Sequence, residues 1–197
     1  MKAGKIRFNS IFVSYHVPRD PRIKELRKWC GKFQKYGLTP EFEGHHTGNL
    51  SFRSKEGFTI TSSGMKNRKN LPDESFVCIK DYDTKTNTFY VEGNQTPSSE
   101  SLMHHLIYIT CKEINSVFHG HNDLIVAKAK KMGLSVTKKE YESGTVDLAK
   151  EVLNVLGDNK FVVLKNHGFV SVGKTMNEAG SFSLSTLRRS KEVNKST

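Results

Sequence analysis

The segment His119-Gly120-His121 carries two imidazoles two positions apart, in an apolar stretch that is typical of a strand. Residues i and i+2 of a strand project from the same face, so the two rings would lie side by side. Imidazole is a common zinc ligand, and a catalytic zinc site takes three protein ligands and leaves one position open. His167, shortly after the apolar run 161–164, is the candidate third ligand. The alternative is three ordinary histidines, each satisfied in the core or exposed, because this spacing alone is a weak signal.

Glu100 stands at the predicted start of a helix, directly after Ser98 and Ser99. The helix dipole stabilises a carboxylate in that position, which would be a purely structural role. Beside a metal ion, the same carboxylate could act as a general base. The two serines have the same pair of interpretations, either as helix caps or as donors to a bound phosphate.

Two further pairs of small residues, Gly48-Asn49 and Ser63-Gly64, could add hydrogen-bond donors to a phosphate site. Their backbone can be approached closely by a ligand. Each pair alone is more typical of an ordinary turn, so both interpretations stay open.

The elements that would position these residues follow from hydrophobic periodicity. Apolar residues three and four apart predict helices at 22–37, about 100–109, 122–132, 146–156 and 176–190. Short apolar or β-branched runs predict strands at 50–53, 58–61, 76–79, 88–91, 116–121, 161–164 and 170–172. This alternation predicts an α/β fold with a mixed sheet covered by helices. We expect one domain over residues 1–197, with fraying in the basic tail, residues 185–197.

The chain is strongly basic, with 31 Lys and Arg against 20 Asp and Glu and a net charge of +11. A lysine-rich solvated surface is the first interpretation and attraction of a phosphorylated substrate the second. Nucleic-acid binding comes last, because no zinc finger, aromatic RNA-binding motif or GXXG loop accompanies the charge.

Several classes of protein are excluded by composition. No apolar run reaches the ~20 residues that span a bilayer, and the basic N-terminus lacks the apolar region of a secretory signal. Three scattered cysteines, Cys30, Cys78 and Cys111, indicate reduced thiols rather than a disulfide scaffold, so we expect a cytoplasmic protein.

Taken together, the motifs resemble the class II aldolase and adducin family. Five segments occur in the family's order: 48–51, 60–64, 97–100, 119–121 and 165–168. The resemblance runs from about Leu26 to Ser190 and implies a single three-layer α/β/α domain with a mostly antiparallel sheet. Five ordered motifs are far more specific than any one of them.

The resemblance implies roles for individual residues. It implies a zinc site formed by His119, His121 and His167, although another divalent metal would also suit such ligands. Glu100 would be the acid/base that removes a proton from the carbon next to the substrate carbonyl. The positions that hold the substrate phosphate would be Gly48, Asn49, Ser63, Gly64, Ser98 and Ser99.

The implied activity is cleavage of a phosphorylated ketose, similar to fuculose 1-phosphate, into dihydroxyacetone phosphate and an aldehyde through a metal-stabilised enediolate. The alternatives are epimerisation, dehydration or decarboxylation at the same site, or a non-catalytic, adducin-like binding module. The resemblance also implies a homo-oligomer, most often a tetramer in this family.

The sequence departs from the family pattern in two places. No tyrosine matches the family's second proton donor, since Tyr141 stands at the wrong offset from Gly144-Thr145. The family's Thr-Pro-(Ser/Thr)-Gly appears here as Thr61-Ser62-Ser63-Gly64, without the proline. These departures concern the substrate and the cleavage step more than the metal site.

Overall fold

The first helix illustrates how the sequence builds the molecule. In a computed structural model that describes residues 5–193, α1 spans Ile23–Lys35. Ile23, Leu26, Trp29 and Phe33 recur at steps of three and four, so they lie on one buried face of this helix. Its charged residues face away from the core, as amphipathic periodicity predicts.

The other helices are α2 (Ser101–Thr110), α3 (Asp123–Lys128), α4 (Val146–Leu156) and α5 (Met176–Glu192). The strands are β1 (Asn9–Ser14), β2 (Glu41–Phe42), β3 (His45–His46), β4 (Asn49–Arg53), β5 (Phe58–Thr61), β6 (Phe76–Asp83), β7 (Thr88–Glu92), β8 (Ser116–Gly120), β9 (Ser135–Val136), β10 (Phe161–Leu164) and β11 (Gly168–Gly173). A short 3₁₀ turn, Asp73–Ser75, precedes β6.

Nine of these strands form one sheet in the order β1-β7-β6-β5-β4-β8-β11-β10-β9, while β2 and β3 form a separate pair. The outermost pairs, β1 with β7 and β9 with β10, are parallel, and the other pairs of the sheet are antiparallel. The expected mixed, mostly antiparallel sheet is therefore confirmed. β8 lies between β4 and β11, near the middle of the sheet.

Helices cover both faces of the sheet. α2 and α4 pack on one face, and α1, α3 and α5 pack on the other. β10 shows the consequence for sequence: Val162 and Leu164 face the first layer, while Phe161 and Val163 face the second. A strand covered on both sides is apolar throughout, which is why 161–164 is an unbroken apolar run.

Three features differ from the expectations. α5 continues to Glu192, so 185–192 is ordered helix rather than a frayed tail, and Leu187 and Ser190 are buried. Residues 194–197 of that tail lie outside the described range. α3 ends at Lys128, short of the expected 132. The edge strand β1 and the two-residue strands β2, β3 and β9 were not expected.

Within residues 5–193, no helix combines the length and the apolar character needed to cross a membrane.

Candidate metal centre

The central strand β8 places the first two histidines, with His119 near its end and His121 directly after it. His119 and His121 lie two positions apart and project to the same side, with ring centroids 4.7 Å apart. Gly120 between them is tightly surrounded, because a Cβ there would stand 2.5 Å from Phe169 Cζ and 2.8 Å from the Leu38 carbonyl oxygen. The missing side chain therefore lets neighbouring segments approach the histidine pair closely.

The tight turn between β10 and β11 brings in the third histidine. His167 lies 5.1 Å from His119 and 4.9 Å from His121, measured between ring centroids. The residue before it, Asn166, has φ +57°, a left-handed conformation that asparagine tolerates better than most residues. Its side-chain amide donates to Glu140 Oε2 at 3.1 Å. The turn thus aims the imidazole back at the sheet.

Glu100 occupies the N-cap position of α2, but its carboxylate makes no capping hydrogen bond. Oε2 lies 2.8 Å from His119 Nε2 and accepts a hydrogen bond from Asn49 Nδ2 at 3.0 Å. Oε1 lies 3.4 Å from His167 Nε2. The carboxylate is buried and points at the three histidines, so its purely structural role at a helix start is not realised.

These four side chains have the chemistry of a metal-binding group. One ligand atom from each of Glu100, His119, His121 and His167 can be chosen so that all lie within 4.8 Å of one another. His119 Nδ1 lies 2.8 Å from the Phe169 carbonyl oxygen, to which it can only donate. Metal-ligating histidines typically make this second bond, because it fixes the tautomer and leaves Nε2 for the ion.

The contacts of His119 Nε2 test this fit further. It lies 2.8 Å from a carboxylate oxygen and 2.9 Å from His121 Nε2. A proton on His119 Nε2 would have to serve both acceptors at once, whereas one divalent cation can be shared by all these atoms. The residues present therefore fit a divalent metal.

Burial sets the protonation states. It lowers the pKa of His121 well below its ordinary value, with further lowering by His119 and His167, and it lowers the pKa of His167. Burial alone would raise the pKa of Glu100, but the charges of His119 and His167 and the His119 hydrogen bond lower it well below 4.5. The lowered pKa values of Glu100, His121 and His167 favour an ionised carboxylate and imidazole nitrogens without a proton, which are the forms that bind metal ions.

A cavity of about 220 Å³ opens beside the four residues. All the phosphate-binding candidates from the sequence line it: Gly48, Asn49, Ser63, Gly64, Ser98 and Ser99. Two of them already use a donor within the protein, since Asn49 Nδ2 bonds Glu100 and the Ser63 amide donates to the Thr96 carbonyl at 2.9 Å. The hydroxyls and the other amides remain as potential donors.

One buried, positively charged residue of this cavity was not expected from the sequence. Arg68 lines it and is buried, although its place in the basic run Lys66–Lys69 indicated a solvated surface. No signal in the sequence distinguishes Arg68 from its lysine neighbours. Among the described residues that line the cavity there is no tyrosine, and Tyr141 packs against the core layer of α2 and α4.

The histidines that the sequence analysis left out of the site behave as ordinary residues. His46 is held by the Thr39 carbonyl and Gln34, and His104 is fully buried against Ser51. His45 is exposed at the cavity entrance, where Nδ1 contacts its neighbour's carbonyl.

Comparison with known proteins agrees with this architecture. The sequence pattern of the family described as "Class II Aldolase and Adducin N-terminal domain" matches residues 24–186. A Methanococcus maripaludis (strain C5) protein named "L-fuculose phosphate aldolase" is 30% identical over 149 residues, covering 67% of this chain and 75% of that protein. An Escherichia coli O45:K1 protein named "5-methylthioribulose-1-phosphate/5-deoxyribulose-1-phosphate aldolase" is 29% identical over 145 residues, covering 66% of this chain and 65% of that protein.

The fold is also found in solved structures. One described as "L-fuculose 1-phosphate aldolase" superposes with a TM-score of 0.72 at 23% identity, over 90% of this chain and 86% of that one. Since the family's pattern covers most of the chain and the fold agrees, this chain belongs to the class II aldolase and adducin family.

Proposed function

We propose that this protein is a metal-dependent class II aldolase. Its substrate would be a phosphorylated ketose similar to fuculose 1-phosphate, cleaved into dihydroxyacetone phosphate and an aldehyde. The observation that carries the proposal is the convergence of three imidazoles and one carboxylate, within 4.8 Å, beside a cavity lined with small polar residues. The names of the two sequence relatives, both sugar-phosphate aldolases, support the reaction class.

His119, His121 and His167 are the proposed ligands, and zinc is the first candidate because three imidazoles suit it. When bound, such an ion would supply a Lewis acid that polarises the substrate carbonyl. Because His119, His121 and Glu100 are buried and the His167 side chain is only 14% exposed, bulk water is largely kept from the reacting atoms.

Glu100 is the proposed proton carrier. When the carbon–carbon bond breaks, its electron pair stays with the carbon next to the carbonyl, and the hydroxyl group that becomes the aldehyde oxygen loses its proton. The Glu100 carboxylate takes up that proton and gives it to the carbon that kept the electron pair, which regenerates the carboxylate. In the reverse direction, Glu100 removes the same proton. Asn49 would orient the carboxylate through its 3.0 Å hydrogen bond, and the lowered pKa of Glu100 keeps the carboxylate ionised before it takes up a proton. Gly48, Asn49, Ser63, Gly64, Ser98 and Ser99 are proposed to surround the substrate phosphate.

A second candidate keeps the same ligands and changes the reaction to epimerisation, dehydration or decarboxylation. The observation in its favour is the lack of a tyrosine among the described lining residues, because the aldolase pattern of the family uses one as a second proton donor. A non-catalytic binding module has least support, since it needs neither the ligand set nor the buried carboxylate.

Metal analysis and a substrate panel test these alternatives. Protein purified without chelator should carry close to one equivalent of zinc or another divalent ion, and His121→Ala should lose it. His45→Ala is the matched control, because His45 lines the same cavity outside the ligand set and should leave metal content unchanged. If the wild-type protein carries clearly less than one equivalent of metal per chain, the non-catalytic binding module is the only one of these functions that remains.

The reaction is identified by incubating the zinc form with the phosphates of fuculose, rhamnulose, ribulose and methylthioribulose and following the products by NMR. Release of dihydroxyacetone phosphate supports the aldolase. Products that retain every carbon–carbon bond would replace it by epimerisation or dehydration. Decarboxylation is tested separately with a sugar phosphate that carries a carboxylate, from which release of carbon dioxide would indicate that reaction.

Assembly and location complete the proposal. A homotetramer follows from the family resemblance, and the exposed apolar side chains of Ile11, Val13 and Tyr15 at the edge of the sheet are consistent with a contact between copies. Light scattering after size exclusion measures the assembly directly. The three free cysteines, of which Cys30 and Cys78 are buried, favour a reducing compartment such as the cytoplasm.

A further inference from the structure

Arg68 is a buried cation without a countercharge. The side chain is 1% exposed, and no carboxylate forms an ion pair with it anywhere in residues 5–193. Its neighbour Cys30 offers no anion, because burial raises the pKa of that thiol to about 11. A buried, uncompensated charge costs several kcal/mol unless a partner satisfies it.

The hydrogen bonds of the guanidinium are also incomplete. Nη2 donates to the Gly48 carbonyl oxygen, while Nε and Nη1 are buried and have no acceptor. The backbone amide of Arg68 is held by Gln34 Oε1 at 3.0 Å, which anchors the segment itself. The fold therefore positions the guanidinium and leaves two of its three nitrogens without a partner.

The position of Arg68 indicates what the partner is. The side chain lines the same cavity as Glu100 and His121, and its charge contributes to the low pKa of His121, after burial and the other histidines. The six phosphate-binding candidates that line this cavity are all uncharged. A phosphate ester carries nearly two negative charges, and hydroxyls and amides alone leave those charges uncompensated.

We propose that Arg68 binds the phosphate group of the substrate and supplies the positive charge that this part of the cavity otherwise lacks. This inference rests on the proposed function, since it takes the phosphorylated ketose as the ligand. Guanidinium hydrogen bonds to phosphate oxygens are charge-assisted and roughly twice as strong as neutral ones. Ser63 and Ser99 hydroxyls in the same cavity would complete the oxygen contacts. Arg68 acts here as a substrate-binding residue, not as a participant in proton transfer.

Phosphate binding is tested with inorganic phosphate as the probe, by thermal unfolding of full-length, zinc-loaded protein at increasing phosphate concentration. The variants are Arg68→Met, Arg68→Lys and the control Lys69→Met, which removes a charge from the adjacent exposed residue. Phosphate should raise the Tm of the wild type and of Lys69→Met. Arg68→Met should bind phosphate about 10- to 100-fold more weakly, as expected for loss of charged hydrogen bonds. Arg68→Lys should be intermediate.

The Tm without phosphate separates a binding role from a structural one. If Arg68 serves the ligand, Arg68→Met removes an uncompensated buried charge and should unfold at the same or a higher temperature. A lower Tm that Arg68→Lys restores, with phosphate affinity unchanged, would make Arg68 a structural residue and overturn the inference. If Arg68→Met does not fold, the test uses Arg68→Lys instead. Phosphate affinity of Arg68→Lys equal to that of the wild type overturns the inference, and several-fold weaker affinity supports it.

Two further experiments identify the chemical class of the ligand. Acetate should leave the Tm unchanged, and an Arg68-dependent shift with acetate but not phosphate would reassign the site to a carboxylate and overturn the phosphate inference. The measurement is repeated on metal-free protein, because phosphate can also bind a metal ion. If the rise in Tm with phosphate requires zinc but does not require Arg68, the proposal is contradicted.

Kinetics distinguish failure of this inference from failure of the proposed function. In Arg68→Met, KM for the cleaved ketose phosphate should rise at least about 10-fold, with kcat changed less. If Arg68→Met cleaves the ketose phosphate with an unchanged KM, the phosphate-binding role of Arg68 is rejected and the proposed aldolase activity stands. If the wild-type protein cleaves no ketose phosphate but binds phosphate in a way that depends on Arg68, the binding role of Arg68 stands and the proposed aldolase activity is rejected.

Discussion

At the scale of single residues, the environment of Glu100 separates two roles that its sequence position allows. A carboxylate at a helix start usually bonds to free backbone amides, but this one bonds to Asn49 and faces three imidazoles. Its position at the start of the helix was predicted, but the expected cap residues were Ser98 and Ser99, whereas the structure has Glu100 itself at the N-cap position. Its actual partners were not, because they come from distant parts of the chain.

Replacing Glu100 by Gln tests its role in proton transfer. Gln keeps the shape and the contact with Asn49 but accepts no proton, so turnover should fall about 10²- to 10⁴-fold. Metal content should be retained, because three imidazoles remain. Turnover is measured by product release, proton transfer by deuterium exchange next to the carbonyl of dihydroxyacetone phosphate, and zinc by elemental analysis.

Glu43→Gln is the control for this variant, because Glu43 is an exposed carboxylate at the same cavity. Its turnover should match the wild type. Unchanged exchange in Glu100→Gln would remove Glu100 from the mechanism.

At the scale of elements, the helices and strands that could be predicted are those whose sequence pattern is strong and local. The boundaries of β5, α4 and β10 agree with the structure because unbroken apolar runs or a clear helical period mark them. β1 was missed because its apolar residues Ile11 and Val13 are exposed and its pairing with β7 is long-range. Local pattern does not reveal a strand that is held mainly by a distant neighbour.

Packing between helices gives a test with two matched glycines. Gly31 and Gly180 both lie inside helices, α1 and α5, where Ala normally stabilises by about 0.5–1 kcal/mol. A Cβ at Gly31 would make only ordinary contacts, the nearest at 3.6 Å. A Cβ at Gly180 would lie 2.3 Å from the ring of buried Trp29.

Gly180→Ala should therefore lower the free energy of unfolding by about 1–3 kcal/mol, because the ring must shift in a packed core. Gly31→Ala should be neutral or stabilising. Urea unfolding followed by circular dichroism measures both. Equal effects at the two positions would refute the close approach of α5 and α1.

At the scale of the whole molecule, a buried polar network ties α2 to the centre of the sheet. Ser51 of β4 contacts His104 Nδ1 at 2.7 Å and the Tyr108 hydroxyl at 2.8 Å. Burial lowers the pKa of His104 to about 3, so its imidazole is neutral in the folded protein. The network makes the stability of the molecule depend on pH.

The direction of this dependence follows from proton binding. In the unfolded chain the histidine pKa returns to about 6.5, so between pH 6.5 and 3 the unfolded chain binds more protons than the folded protein. The free energy of unfolding should therefore fall as the pH falls through this range, with a contribution from His104 that approaches ~1.4 kcal/mol per pH unit. His104→Gln should reduce that slope.

The slope is measured by urea unfolding at several pH values on metal-free protein, because acid also displaces metal ions. His16→Gln, at an exposed position, is the control and should keep the wild-type slope. A His104→Gln slope equal to the wild type would show that His104 does not carry the acid sensitivity.

The candidate site illustrates what a single sequence can and cannot give. The residue types and the spacing of His119 and His121 predicted a shared face, because two positions of a strand are a local relation. The approach of His167 and Glu100 depends on pairing between β8 and β11 and on the placement of α2, which are long-range. The burial of Arg68 within a basic run depends on the direction of one side chain, which sequence does not display.

The placement of β8 between β4 and β11 also has a consequence for biosynthesis. The ribosome delivers Glu100, His119 and His121 well before the turn that carries His167. A nascent chain that ends before this turn offers two imidazoles and a carboxylate, without β11 beside β8. At the proposed site, full-strength capture of an ion would therefore wait until the β10–β11 turn has left the ribosome.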